Sequence, residues 1–383
     1  MNNCFVILTL LICQLSFAQS NNFTISGKIK GLESKNISLI IFDQDFPNGL
    51  RRDSISVNNG SFTYTATVNK FLYASINPMM GRVVKSTPSG YYPAKSSTFQ
   101  FFVAPGYKIN FTGEISDFVD AYPFGEENNN IFGKLCKTIY PLLNKSVNLS
   151  VKIANKVVTD TNIIKRMKDT SNILNEKVND LKVKFLRANP SLAAASWLLS
   201  DMMIRSQISN TAATEIFNAM QNEKLEGIIY YKEVAKRVEG FTATATGKMV
   251  PEISTINTFT GSKLELSSLR GKYVVLDFWG TWCGPCIAGM PKMKEYLDKY
   301  KNKMEIVGVA SESDKGERWR NFLDSKPQYQ WHQVLSTKEE DFILQFNVAG
   351  FPTKIIIDTQ GKILGRYVGE NEEIYKKLDE LLK

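Results

Sequence analysis

The alternation of apolar and polar positions divides the chain into three stretches of different period. Between about residues 22 and 114, "NFTISGKIKG", "NISLIIFD", "SISVNNGSFTYTATV", "FLYASINP" and "STFQFFVAPGYKINFTG" are rich in β-branched and aromatic residues. They alternate in part between apolar and polar, and Asn59-Gly60 marks a turn. Short strands so regularly spaced predict an antiparallel sandwich or barrel, an N-terminal domain over residues 19–125. At "FGEENNN" (124–130) the period changes, and from 131 to about 239 helix formers dominate. Ile164, Met167, Leu174, Val178, Leu181 and Phe185 fall on one helical stripe, interrupted at Ser171. Asn189-Pro190-Ser191 ends one helix and opens another, "SLAAASWLLSDMMIRS". The stripe fits packing within a small bundle over 126–240, or the seam of a homodimer through this helical region.

Residues 241–248, "FTATATGK", read as a linker. Beyond it strand and helix alternate. An apolar run at 273–279 suits a central strand, 286–300 a helix, 304–310 a second strand, and 315–323 and 338–346 two further helices. Residues 354–358 and 363–368 form a hairpin about "TQGK", and 372–382 a closing helix. This alternation predicts an α/β layer structure over 249–383. The expected fold class is multidomain: an N-terminal antiparallel β domain, a central α-helical region and a C-terminal α/β domain.

Composition refines this only at the margins. A chain of 383 residues is too long for one compact core. Its hydrophobic and charged fractions, 43% and 22%, are those of ordinary globular protein. The net charge of +9 is spread thinly, with no long Lys/Arg run and no zinc-finger or aromatic-basic motif, which argues against nucleic acid. The leading "MNNCFVILTLLICQLSFA" is apolar and ends in the small residues Ser16 and Ala18. It predicts a signal peptide over 1–18, cleaved before Gln19, and hence an exported, periplasmic protein. Lipid anchoring through Cys13 is the less favoured reading, because Ile12 stands where a lipobox wants a small residue. No later stretch is apolar for long enough to span a membrane.

Cleavage there would leave Cys136, Cys283 and Cys286. One possible disulfide does not staple a protein of this size, so the pair is there for chemistry. A structural zinc site needs four ligands. The chain offers one pair, a distant Cys136 and a single histidine, His332, so neither a metal nor another cofactor is expected. His332, in "QWHQVLS", reads as a packed or surface residue, and Cys136, in "FGKLCKTIY", as a small buried apolar one. A cysteine protease built on His332 would leave the second thiol unexplained. A redox couple uses both thiols. Cysteines at i and i+3 at a helix start can close a disulfide across one turn, and Gly284 and Pro285 suit the tight entry into that helix. Unpaired backbone N–H groups and the helix dipole favour thiolate on the leading cysteine. The second thiol can then resolve a mixed disulfide.

The same residues carry a family resemblance. "FWGTWCGPC" (278–286) resembles the active-site signature of the thioredoxin superfamily, in particular the exported TlpA/ResA-like thiol–disulfide oxidoreductases. "VPEISTINTFTGSKLELSSLRGKYVVLDFWGTWCGPC" is similar to that branch's lead-in, with its extra N-terminal hairpin and "LRGK" before the central strand. The resemblance covers 249–383 and implies a thioredoxin-like fold and protein-disulfide reductase activity. It implies Cys283 as the attacking and Cys286 as the resolving cysteine, with Trp282 beside the pair and Pro291 kinking the active-site helix. "GFPT" (350–353) resembles the loop whose proline is cis, which would set Pro352 against the disulfide. Trp282, Gly284, Pro285, Phe351 and Thr353 would then form the substrate-binding surface. Asp277 matches the buried carboxylate that helps deprotonate the resolving thiol, and burial would raise its pKa and suit it to act as a general base. The lysine that accompanies this carboxylate in thioredoxin has no obvious counterpart in "MEIVGVASES" (304–313). Cytochrome-maturation members carry a glutamate three residues after the second cysteine. Gly289 stands there instead, which weakens a dedicated role in reducing apocytochrome c. By pattern alone, the front of the chain resembles the unassigned region that precedes such domains in exported proteins of Bacteroidota.

The implied partners are disulfide-containing protein substrates and a membrane thiol that donates electrons. Gly-Pro between the cysteines resembles thioredoxin's own dipeptide and points to a reductant. Three alternatives stay open: an isomerase or oxidant, a thiol peroxidase, and a binding protein with an accessory redox module. A peroxidase wants Pro seven and Thr or Ser three residues before the attacking cysteine, where Leu276 and Gly280 stand.

Overall fold

The computed structural model describes residues 21–46, 49–88, 90–221 and 223–383. The expected leader at 1–18, with Cys4 and Cys13, lies outside them. Two four-stranded sheets open the chain. One is built from β1 (Asn22–Lys30), β4 (Ser61–Thr67), β9 (Lys108–Ile115) and β10 (Val119–Phe124), in the order β10-β9-β1-β4. The other takes β2 (Asn36–Phe42), β3 (Leu50–Ser56), β5 (Leu72–Asn77) and β8 (Phe99–Val103), in the order β3-β2-β5-β8. A short hairpin, β6 (Lys85–Thr87) and β7 (Gly90–Tyr92), stands apart. The period of two read from the sequence selects the buried side: Phe23 and Ile25 of β1, Ile37, Leu39 and Ile41 of β2, and Ile109 and Phe111 of β9 meet in one core. The sandwich is antiparallel apart from β1 and β9, which run parallel.

Five helices follow: α1 (Glu127–Ala154), α2 (Thr161–Ala188), α3 (Ala193–Ile204), α4 (Asn210–Ala219) and α5 (Ile229–Ala243). The stripe on α2 packs on α1 of the same chain. Its interruption is a bonded site, where the Ser171 and Ser146 hydroxyls lie 2.7 Å apart in the interior. α3 is buried almost all round, as its apolar sequence requires, and Trp197 stacks on Tyr73 of β5 at 4.1 Å. Asn129 of α1 both donates to and accepts from the Phe102 backbone at 2.8 Å, occupying the open edge of β8. Sandwich and helices therefore share a core. Among the described residues, no helix is long and apolar enough to cross a membrane.

The C-terminal sheet comprises β13 (Tyr273–Trp279), β14 (Met304–Ser311), β15 (His332–Ser336), β16 (Thr353–Ile357) and β17 (Ile363–Val368), ordered β15-β14-β13-β16-β17. β13, β14 and β15 are parallel, whereas β16 and β17 run antiparallel. α6 (Gly284–Tyr300) and α9 (Glu373–Leu382) cover one face. The hairpin β11 (Ser254–Thr255) and β12 (Leu264–Glu265), with α8 (Phe342–Gln345), covers the other, and α7 (Glu317–Ser325) packs near the cysteines. Sandwiched on both faces, β13 reads as an apolar run broken only by Asp277. The helix expected over 338–346 is only the four residues of α8, because Asp341 caps it through the Leu344 N–H. β15, which contains His332, is a strand that the sequence pattern does not predict. Its few apolar residues become a strand by pairing with β14.

The expected linker is also structured. Residues 241–243 finish α5, and the backbone of Gly247, Lys248 and Val250 bonds to Gly361 and Ile363 at the start of β17. α5 itself docks on the C-terminal unit. Gly240 lies where a Cβ would be 2.5 Å from the Gln345 carbonyl and 2.8 Å from that of Leu344. Arg237, buried and paired with Glu233, donates to the Val348 carbonyl.

Candidate active site

The cysteines sit where β13 hands over to α6. Cys283 is the N-cap of α6, its Sγ accepts from the Cys286 N–H at 3.2 Å, and Pro285 occupies the first turn. The two are joined as a disulfide with Cα atoms 5.3 Å apart. Both side chains are buried among Trp279, Met290, Ala310 and Trp319. The N-terminus of α6 directs its free N–H groups and dipole at Cys283, which favours negative charge on that sulfur once the bond opens.

Around the pair the surface is aromatic. Trp282 is 55% exposed. It is held by a bond from its Nε1 to the Ser311 carbonyl at 2.9 Å and by an edge contact with Phe351 at 5.0 Å. The Phe351–Pro352 bond is cis. Gly284 faces open space. Thr353, by contrast, is fully buried and its hydroxyl donates to the Gly350 carbonyl. The Thr281 N–H and hydroxyl both bond to Glu312, which fixes the approach to the cysteines.

Asp277 lies on the α6 side of β13. Its neighbours Leu276 and Phe278 point to the opposite core, whereas Val275 packs with Met293 and Trp279 with Cys286 and Met290. Positions 286, 289, 290 and 293 form one helix face, so Asp277 sits beneath it between Cys286 and Met293. Burial pushes the Asp277 carboxyl above its ordinary value. Lys354 opposes the shift, and the charge of Glu370 adds to it.

A family model described as thioredoxin-like matches residues 271–363, and one for a domain of unknown function, DUF4369, matches 23–132. Over 127 residues the chain is 39% identical to the thiol-disulfide oxidoreductase ResA of Bacillus anthracis, covering 32% of this chain and 70% of that relative. The chain belongs to the ResA-like thiol–disulfide oxidoreductases. It is also 33% identical over 137 residues to the thioredoxin-like protein YneN of Bacillus subtilis, covering 35% of this chain and 78% of YneN. Among solved structures, the thioredoxin domain of a thiol-disulfide oxidoreductase from Bacteroides vulgatus is 28% identical, with a TM-score of 0.33 over 36% of this chain and 99% of that one.

One expectation about this oxidoreductase needs correction. The lysine missing from "MEIVGVASES" is supplied from the other side of β13. Lys354 of β16 stands opposite Asp277 in the antiparallel register, with Nζ 3.6 Å from Asp277 Oδ1. The space left by Gly289 is not empty either. A Cβ there would overlap the carboxylate of Glu370, which reaches in from the turn after β17. The sequence did carry a signal for Lys354, a lone cation in the apolar run "TKIII" directly after Pro352. Nothing local marked Glu370, whose place depends on how β17 turns into α9.

Among the described residues, the front of the oxidoreductase has no comparable constellation. One cavity there, of about 580 Å³, is lined in part by Tyr73, Lys95, Trp197 and Asp201. Asp201 binds Lys95 at 2.6 Å and Arg205 at 3.0 Å.

Proposed function

We propose that this oxidoreductase works outside the cytoplasm, in the periplasm, as a reductant of disulfides in exported proteins. The observation that carries the reading is the cysteine pair at the α6 N-terminus beside an aromatic surface of exposed Trp282 and half-buried Phe351. In the cycle, Cys283 thiolate attacks one sulfur of the client disulfide and displaces the other as thiolate. Cys286 then loses its proton and attacks Cys283 Sγ, which releases the second client sulfur. Two electrons pass to the client, the client thiolates take up protons from solvent, and the Cys283–Cys286 disulfide remains. A membrane thiol donor would restore the dithiol. The apolar leader in the sequence and the Gly-Pro dipeptide support the compartment and the direction.

The test has two parts. Equilibration in defined thiol buffers, with the disulfide quantified by alkylation and mass spectrometry, should give a midpoint near or below about −230 mV, and one above about −180 mV would reverse the assigned direction. Cys286→Ser should trap client proteins on Cys283 as mixed disulfides resolvable by added thiol. If no adduct forms with any oxidised protein offered, the exchange reading of this pair fails.

A further inference from the structure

What Glu370 does rests on the reading above, in which Cys286 must lose its proton to resolve the mixed disulfide. Lys354 is buried to 1% exposure between two carboxylates and is shared unequally between them. Its Nζ lies 2.7 Å from Glu370 Oε2, a hydrogen bond, and 3.6 Å from Asp277 Oδ1. Among the described residues, that Asp277 oxygen is buried without a hydrogen-bond partner. Glu370 is better supported. Its Oε1 accepts from the Tyr375 hydroxyl at 2.7 Å, and its side chain keeps 25% exposure. Gly289 makes the arrangement possible, because any side chain there would displace the Glu370 carboxylate from the face of α6.

A carboxylate left short of donors in a low-dielectric site holds a proton more tightly than one with an ammonium seated on it. We propose that Glu370 is a positioning residue for resolution: by holding the Lys354 ammonium, it keeps Asp277 basic enough to take the Cys286 proton. Each element packed around Asp277 contributes to its surroundings. β16 presents Lys354, the β17–α9 turn Glu370, α9 Tyr375, and α6 the cysteine pair, while β14 places Gly308 opposite and adds no charge. In the step concerned, the Cys286 proton passes to an Asp277 oxygen and Cys286 Sγ bonds to Cys283 Sγ. The Cys283–client S–S bond breaks, and the client sulfur leaves with the electron pair. Asp277 then returns its proton to water.

The experiment uses the full chain, fully reduced and mixed with saturating oxidised glutathione, with the resolution step followed by tryptophan fluorescence across acid to neutral pH. Glu370→Gln keeps the side chain's shape and its acceptor for Tyr375 but removes the charge that competes for Lys354. The acid limb of the resolution rate should move to lower pH, because Asp277 ionises more easily. The plateau should fall several-fold, because Asp277 is then the weaker base. In an Asp277→Asn background the same substitution should change neither, since the two residues act through one another. An unchanged profile in Glu370→Gln with a folded protein would overturn the proposal, as would an equal effect with and without Asp277. Failure of the wild-type protein to exchange with glutathione or any client would instead count against the functional reading.

Discussion

Replacing Lys354 by methionine tests whether the electrostatics beneath α6 have been assigned correctly. Methionine retains much of the stem's volume and removes the ammonium, leaving Asp277 and Glu370 across the gap it occupied. Two like charges at that spacing repel by about 3 kcal/mol at an effective dielectric of about 20. Removing one member of a buried ionic cluster costs about 3–5 kcal/mol. The low end applies here, because Glu370 keeps its Tyr375 bond and some contact with water, and Asp277 can escape by taking a proton. That escape makes the loss pH-dependent. Without Lys354 the folded-state Asp277 carboxyl rises further above its unfolded value, so the native variant holds a proton that its unfolded chain releases. The variant therefore recovers as pH falls and worsens as pH rises, at no more than about 1.4 kcal/mol per pH unit for one proton. Urea titration of the oxidised full chain by tryptophan fluorescence suits the measurement, since four of the five tryptophans, Trp279, Trp282, Trp319 and Trp331, lie in the C-terminal unit. An unchanged midpoint at neutral pH, or a deficit that does not shrink on acidification, would refute the assignment of Lys354 as the shared cation.

Two further substitutions probe recognition and docking. Trp282→Ala should raise KM for an oxidised protein client several-fold while leaving exchange with glutathione close to wild type, because it strips the exposed half of the aromatic platform without touching the sulfurs. Steady-state kinetics with both substrates decides this. Gly240→Ala should loosen α5 from α8 although alanine favours a helix by about 1 kcal/mol over glycine, because the new methyl would meet two carbonyl oxygens at 2.5 and 2.8 Å. Faster limited proteolysis within 244–248 is the expected sign, and an unchanged cleavage rate would show that the helices yield without cost.

Local pattern in this sequence carries local structure. The apolar run at 273–279 is β13 residue for residue, the cysteine spacing sets the N-cap of α6, and the alternating front folds as a sandwich. Each of these follows from period, capping or turn chemistry, which act within a few residues of the chain. Ser171 shows where that information stops. A hydroxyl on an apolar stripe looks like a flaw until α1 brings Ser146 to it. The small polar residues after α5 look like a tether until the backbone at β17 binds them. The surroundings of Asp277 show the same division at the site itself. Burial of this carboxylate could be read from the strand around it, but its cation comes from a strand 77 residues further along, through sheet register. Glu370 arrives through a turn that no motif marks, in space that a missing side chain leaves open. Period, capping and motif spacing mark the residues fit for redox chemistry and most of the strands and helices, β15 and the length of α8 excepted. The charges that face Asp277 are set by the packing of the whole chain, because hydrophobic patterning specifies that a position is buried and not which distant residues surround it.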